Sequence, residues 1–168
     1  KPIVLYQGAV NEGRALDQVI LAMQYIDAEL WICGVGDLYE SLQDFTRKQG
    51  LQEKVRFKGF VAPANLRAIT ADAAVGLTLF ETNGKSNYYS LANRFFDYMH
   101  AGVPQVCNAY PEYVKINAQF PLALLIESPT AALIAEAVNS ILKDATLAKQ
   151  LHEGALAARE VYNWQEEE

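Results

Sequence analysis

Three places in the chain combine residue types able to hold an anion or a sugar. Gly8 closes the apolar run Ile3-Val4-Leu5-Tyr6, and Arg14 follows six residues on, at the expected opening of a helix. Glycine admits close backbone approach, a helix N-terminus favours negative charge, and arginine adds a charge-assisted bond to a phosphate. A plain strand-to-helix turn with a solvated arginine fits the same residues. Gly34-Val35-Gly36-Asp37 follows a second apolar run. Its glycines again let a ligand approach the backbone, while Asp37 serves equally as a helix N-cap. The third place runs from Ser90 to Pro104, where a helix opens after a polar stretch and stops at Gly102. The start of that helix offers backbone N–H groups at Ser90, Leu91, Ala92 and Asn93. Arg94 adds charge, and Asp97, one turn on, suits two vicinal hydroxyls such as those of a ribose. An i,i+3 pair between Arg94 and Asp97 accounts for those two residues as well.

Other chemistries find less support. His100 and His152 lack metal-ligand spacing to each other or to either cysteine, and His100 reads as a packing residue. No Asp-x-Asp pair signals a carboxylate clamp for a divalent metal, and no Gly-x-Ser-x-Gly elbow signals serine hydrolysis. Lys54, Arg56 and Lys58 alternate along one run, which reads as a solvated or edge face of a strand.

The elements that would position these residues alternate regularly. Apolar runs at 3–6, 30–33, 55–57, 74–79, 104–107 and 122–126 suit strands buried on both faces of a parallel sheet. Helical periodicity occupies 12–27, 37–50, 63–71, 90–101, 130–142 and about 145–162. Alternation of this kind implies an α/β fold, a doubly wound, Rossmann-like parallel sheet of about six strands with helices on both faces. Ligands of such sheets bind beyond the carboxyl ends of the strands, where Gly8, Gly34, Gly36 and Gly59 fall.

The chain has 168 residues, enough for the single domain spanning 1–168. Fourteen basic against twenty acidic residues give a net charge of −6, which argues against nucleic-acid binding. Cys33 and Cys107 lie in apolar runs and read as buried free thiols of a reducing compartment. No apolar stretch reaches the ~20 residues of a membrane span. The chain opens on Lys1-Pro2 without an initiator Met, which reads as a piece of a longer polypeptide.

In this order, these pieces resemble the carboxy-terminal half of a GT-B glycosyltransferase, most of all glycosyltransferase family 4, over essentially the whole chain. Tyr6 to Asp17 is similar to the family's opening strand, turn and helix; Arg14 falls on its phosphate-binding Lys, and Ala9 on an Arg that is missing here. Leu30 to Asp37 is similar to the hydrophobic-Gly-x-Gly segment. Val55 to Val61 is similar to a Val-x-Phe-x-Gly-x-Val stretch whose following loop, here Phe60 and Val61, lies against the nucleotide base. The family's Glu-x7-Glu element matches at its second Glu only: Asp97 takes that place, Tyr89 takes the first, and Glu81 lies eight residues before it. Asn93 to Tyr98 resembles a subgroup with Asn-Lys-x-Phe-Asp-Tyr here, and Tyr162-Asn163-Trp164 resembles the family's aromatic close.

The resemblance implies the donor-binding half of a retaining glycosyltransferase acting on a UDP-, GDP- or ADP-sugar. It implies catalytic roles for Arg14 and Asp97, and donor contacts at Gly8, Gly34, Gly36, Phe60, Val61, Ser90, Leu91, Ala92, Asn93 and Arg94. Cations and a helix dipole in place of a metal imply no cofactor. The implied partners are the N-terminal domain of the same polypeptide and an acceptor glycan or lipid. Polysaccharide synthesis in the cytoplasm, with the full-length protein peripheral to the membrane face, follows at the family level. Two other readings stay open: a non-catalytic α/β domain with a degenerate donor site, suggested by Ala9 and Tyr89, and half of a sugar-nucleotide epimerase.

Overall fold

A computed structural model describes residues 1–81 and 92–162. Six strands, β1 (Ile3–Gln7), β2 (Glu29–Cys33), β3 (Val55–Gly59), β4 (Val75–Thr78), β5 (Gln105–Asn108) and β6 (Ala123–Ile126), form one sheet. Its order is β3-β2-β1-β4-β5-β6 and every pairing is parallel. The helices are α1 (Leu16–Ala22), α2 (Tyr39–Lys48), α3 (Pro63–Asp72), α4 (Asn93–Ala101), α5 (Pro111–Gln119), α6 (Ala131–Lys143) and α7 (Ala145–Val161).

Alternate strand residues serve opposite faces, as the two-residue period of a strand requires. Val4, Tyr6, Leu30, Ile32, Val75, Leu77 and Val106 join the core under α1, α2 and α6. Leu5, Cys33 and Cys107 face the other layer, with residues of α3, α4, α5 and α7. Helices therefore cover both faces, and both cysteines are buried and free. The order of strands reverses between β1 and β4, so the crevice beyond their carboxyl ends is the place where a doubly wound sheet binds ligands.

The structure departs from the expected elements in three places. The first helix spans only Leu16–Ala22, followed by a 3-10 turn at Met23–Tyr25. Gly13 (φ 90°) and Ala15 (φ 55°) hold the preceding chain out of helix, so Arg14 rides on an irregular loop and not on a first helical turn. The Gly13 carbonyl accepts from the Glu81 amide at 3.0 Å, which ties this loop to the end of β4. Helix α5 was not expected at all. It buries little beyond Tyr113 and Ile116, too weak a stripe for periodicity, although Pro111 at its first turn is a start signal. The basic residues at and just before β3 lie along an edge strand as expected, yet each has a partner. Lys54 Nζ donates to the carbonyls of Met23 and Ile26, Arg56 pairs with Glu29, and Lys58 lies over the Trp31 ring.

Candidate functional site

A cleft of about 440 Å³ opens at the reversal point, lined by the ends of β1 and β4, the Arg14 loop and the start of α4. Two arginines converge there on Phe80, the second residue past β4. The guanidinium carbon of Arg14 lies 5.4 Å from the centre of the Phe80 ring and that of Arg94 5.5 Å from it. Phe80 is held by Asn108, which accepts from its amide and donates to its carbonyl, both at 2.8 Å. The side chain of Asn108 thus continues the β4–β5 ladder one residue further and fixes the ring between the two cations.

Arg94 is buried, yet among the described residues neither arginine joins an ion pair. Arg94 Nε donates to the Gln7 carbonyl at 2.9 Å and Nη2 to the Tyr6 hydroxyl at 3.0 Å. The Tyr6 hydroxyl in turn donates to the Ala9 carbonyl. Arg14 Nε is buried with no hydrogen-bond partner. A buried charged donor without an acceptor is costly unless something else supplies one. Two unpaired guanidinium groups facing one cleft are therefore matched to an anion.

Gln7 joins the two sides of the cleft. Its Nε2 donates to Asp97 Oδ2 at 3.1 Å, its Oε1 accepts from Thr70 Oγ1 at 2.6 Å, and its amide donates to the Tyr98 hydroxyl at 3.2 Å. Tyr98 is locked by donating to the Leu5 carbonyl. Asp97 is exposed toward the cleft, but packed neighbours crowd its carboxyl. This desolvation pushes its pKa above the ordinary carboxylate value, against the opposing effects of His100, the Gln7 bond and Arg94. The i,i+3 ion pair that might have used up Arg94 and Asp97 does not form, because Arg94 turns to β1 and Asp97 to Gln7.

A second, more apolar groove of about 660 Å³ adjoins the first and shares Gln7, Leu66 and Asp97 with it. Phe60, Val61 and Pro63 form one end, and Phe60 is 76% exposed. Asp97 thus stands at the waist between a cationic cleft and an apolar one.

The structure brings Gly8, Arg14, Ala92, Asn93, Arg94 and Asp97 to one cleft and Phe60 and Val61 to its neighbour. Ser90, Leu91 and Tyr89 lie outside the described residues, as do Asn163 and Trp164. Three expectations change in detail. The Gly8 amide donates to the Cys33 carbonyl, and its lack of a side chain, at the wall of the cleft, also leaves room for the Arg94 guanidinium. Gly34 and Gly36 line neither cleft; a Cβ on Gly34 would overlap the Gly8 carbonyl oxygen and one on Gly36 the Val10 carbonyl, so both serve loop packing. The Ala92 amide already donates to the Tyr113 hydroxyl at 3.2 Å, which leaves Asn93 and Arg94 as the helix start, with no side-chain cap. Glu81 is tied by its backbone to Gly13, beside Arg14. His100 Nε2 donates to the Tyr162 carbonyl and His152 Nδ1 to the Gly102 carbonyl, each at 2.7 Å, so both histidines fasten the chain's end to α4. Gln7, Tyr6, Phe80 and Thr70 were not anticipated.

The described residues contain no cluster of three or more His, Cys, Asp or Glu side chains able to hold a metal ion. None of their helices is long and apolar enough to cross a membrane.

Sheet order, flanking helices and cleft position define a Rossmann-like domain of the kind that forms the C-terminal half of GT-B glycosyltransferases. The sequence matches the family described as glycosyl transferases group 1 over residues 1–157, and the chain belongs to that family. Among curated proteins, none matches its sequence. Its fold is similar to sucrose-phosphate synthase from Thermosynechococcus elongatus, with a TM-score of 0.83 and 22% identity, covering 99% of this chain and 42% of that one. Anabaena HepE, solved in complex with UDP, gives 0.81 and 15% identity, over 94% of this chain and 44% of that one. The C-terminal domain of LpcC, a group 1 family protein from Francisella tularensis, gives 0.76 and 13%, over 95% of this chain and 84% of that one. The chain thus spans under half the length of the first two.

Proposed function

We propose that this chain is the donor-binding half of a retaining glycosyltransferase that moves a sugar from a nucleoside diphosphate to a glycan or lipid acceptor. The observation that carries the reading is the pair of arginines about Phe80, neither in an ion pair and both lining the cleft, with the Nε of Arg14 unsatisfied. A diphosphate supplies the missing acceptors. Asp97, at the waist, accepts from the ribose hydroxyls, and the groove at Phe60 and Val61 takes the base. HepE, a neighbour of the same fold, binds UDP. A UDP-, GDP- or ADP-sugar meets the same chemistry.

In the reaction the bond from the anomeric carbon to the diphosphate oxygen breaks, and its electron pair stays on the diphosphate. The acceptor hydroxyl forms the new bond and passes its proton to the departing diphosphate. Negative charge grows on the leaving group, where Arg14, Arg94 and the start of α4 provide fixed positive charge. Removing one such preorganised group typically costs about 10²–10³ in rate. With that charge in place, transfer proceeds without a metal. The acceptor wall belongs to an N-terminal domain of the same polypeptide, working in the cytoplasm or at its membrane face in polysaccharide synthesis.

Calorimetric titration with UDP, GDP and ADP tests the site. Wild type should bind at least one of them. Arg14→Ala should weaken binding roughly 10- to 100-fold, the range for a lost hydrogen bond to a charged group, and Asp97→Ala should weaken it as well. Unchanged affinity in both variants would overturn the assignment.

A further inference from the structure

Gln7 holds more of the cleft together than any residue the family resemblance singles out. It is 4% exposed and occupies the last position of β1, the strand beside the reversal point. Its main chain fixes both its neighbours on α4: the carbonyl accepts from Arg94 Nε and the amide donates to Tyr98. Its side chain reaches between the two clefts and lines both.

We infer that Gln7 is a positioning residue, whose side-chain amide, clamped by Thr70, aims the Asp97 carboxylate into the waist of the donor cleft. This inference rests on the reading of the cleft as a donor site. The amide has two orientations, and the Asp97 carboxylate selects one, since Thr70 Oγ1 can face either end of the amide. Thr70 Oγ1 carries one proton and lies 2.6 Å from Gln7 Oε1 and 2.8 Å from the Leu66 carbonyl. With Oε1 toward Thr70, Nε2 faces Asp97 and donates to it. The reverse orientation sets Oε1 against the carboxylate, acceptor against acceptor, which an ionised Asp97 opposes. The bond from Nε2 to Oδ2 ties the carboxylate to β1 while Asp97 still lines both clefts.

The same bond favours the charged form of Asp97. The other charged or titratable groups around Asp97 are Arg94 and His100 on α4, Arg67 on α3 across the second groove, and Arg14 across the first. None of them is altered by a change at Gln7 or Thr70.

The test reads Asp97 directly by ¹³C carboxyl NMR titration in wild type, Gln7→Leu and Thr70→Val, with Asp97→Asn to assign the resonance. The Asp97 midpoint should rise in Gln7→Leu and rise less in Thr70→Val. UDP affinity at neutral pH should fall about tenfold in Gln7→Leu, as for loss of a hydrogen bond to a charged group, and the acid limb of its pH profile should move with the NMR midpoint. Thr70→Val keeps the shape of the side chain and serves where Gln7→Leu does not fold. An Asp97 midpoint unmoved in both variants would overturn the inference. Wild type that binds no nucleoside diphosphate, with an Asp97 midpoint that still responds to Gln7, would instead sink the donor-site reading.

Discussion

Asp97 sits where the protein resists its charge. Its pKa lies above the unfolded value of 3.8, chiefly through desolvation, so the folded state holds the proton more tightly than the unfolded state does. The stabilisation from that proton is complete below the unfolded pKa and is lost as pH rises through the folded one. At neutral pH the carboxylate therefore weighs against folding, and Asp97→Asn should raise the melting temperature at pH 7. The gain should vanish below about pH 3.8, where both variants are uncharged. Thermal unfolding at the two pH values checks this, and a variant that melts at or below wild type at pH 7 refutes it. Asp97 and Arg14 were legible in the sequence because a carboxylate or a cation beyond a strand end already suggests a role. Gln7 and Phe80 were not. A glutamine at a strand end and a phenylalanine in an apolar run carry no sign of partners 90 and 28 residues away, and those contacts exist only once β1, β4, β5 and α4 are assembled.

The elements reach this arrangement through backbone packing at the mouth of the sheet. The loop after β1 lies on the loop after β2: Gly8 donates to Cys33, Val10 to Val35, and Leu38 back to Val10. Gly34 makes this possible, with φ of 147° and no side chain to strike the Gly8 carbonyl. Gly34→Ala meets both obstacles. Unfavourable backbone alone costs about 1–3 kcal/mol, and the clash adds to it, so the melting temperature should drop by at least about 2 °C for a chain of this size. Because the displaced loop leads to Arg14, nucleotide affinity should fall together with stability. A variant as stable as wild type would show that the two loops are not packed as described. The glycines were visible in the sequence, but close approach by a ligand and close approach by another loop ask for the same residue, so their type and spacing alone did not separate the two. The strands were legible for a plain reason: strands buried on both faces must be largely apolar, as in β4, which is buried at all four positions and carries Val75 and Leu77. Helix α5 was hidden for the opposite reason, with Val114 exposed and only two side chains buried.

At the scale of the molecule, the described groups of the cleft gather at one end of the sheet. Arg14 stands on the loop after β1, and Arg94 and Asp97 stand on α4. Such a site can recognise a nucleoside diphosphate, because the groups proposed to contact it come from β1, α4 and the loops after β1 and β3. Transfer asks for more. The acceptor hydroxyl has to be held against the anomeric carbon, and water has to be kept from the developing charge. Positioning of a second reactant accounts for about 7–11 kcal/mol of a barrier in well-oriented systems, a factor of 10⁵ or more in rate. A net charge of −6 gives the chain no general attraction for an anionic donor, so binding depends on the few cations inside the cleft. The chain by itself should therefore bind UDP, GDP or ADP without turning over the matching nucleotide sugar, with turnover appearing only when a second α/β domain closes over the cleft. Following release of free nucleoside diphosphate from each sugar donor, with and without candidate acceptors, tests the point. Steady turnover by this chain alone would mean that its own residues build the acceptor wall, and the half-enzyme reading would fall.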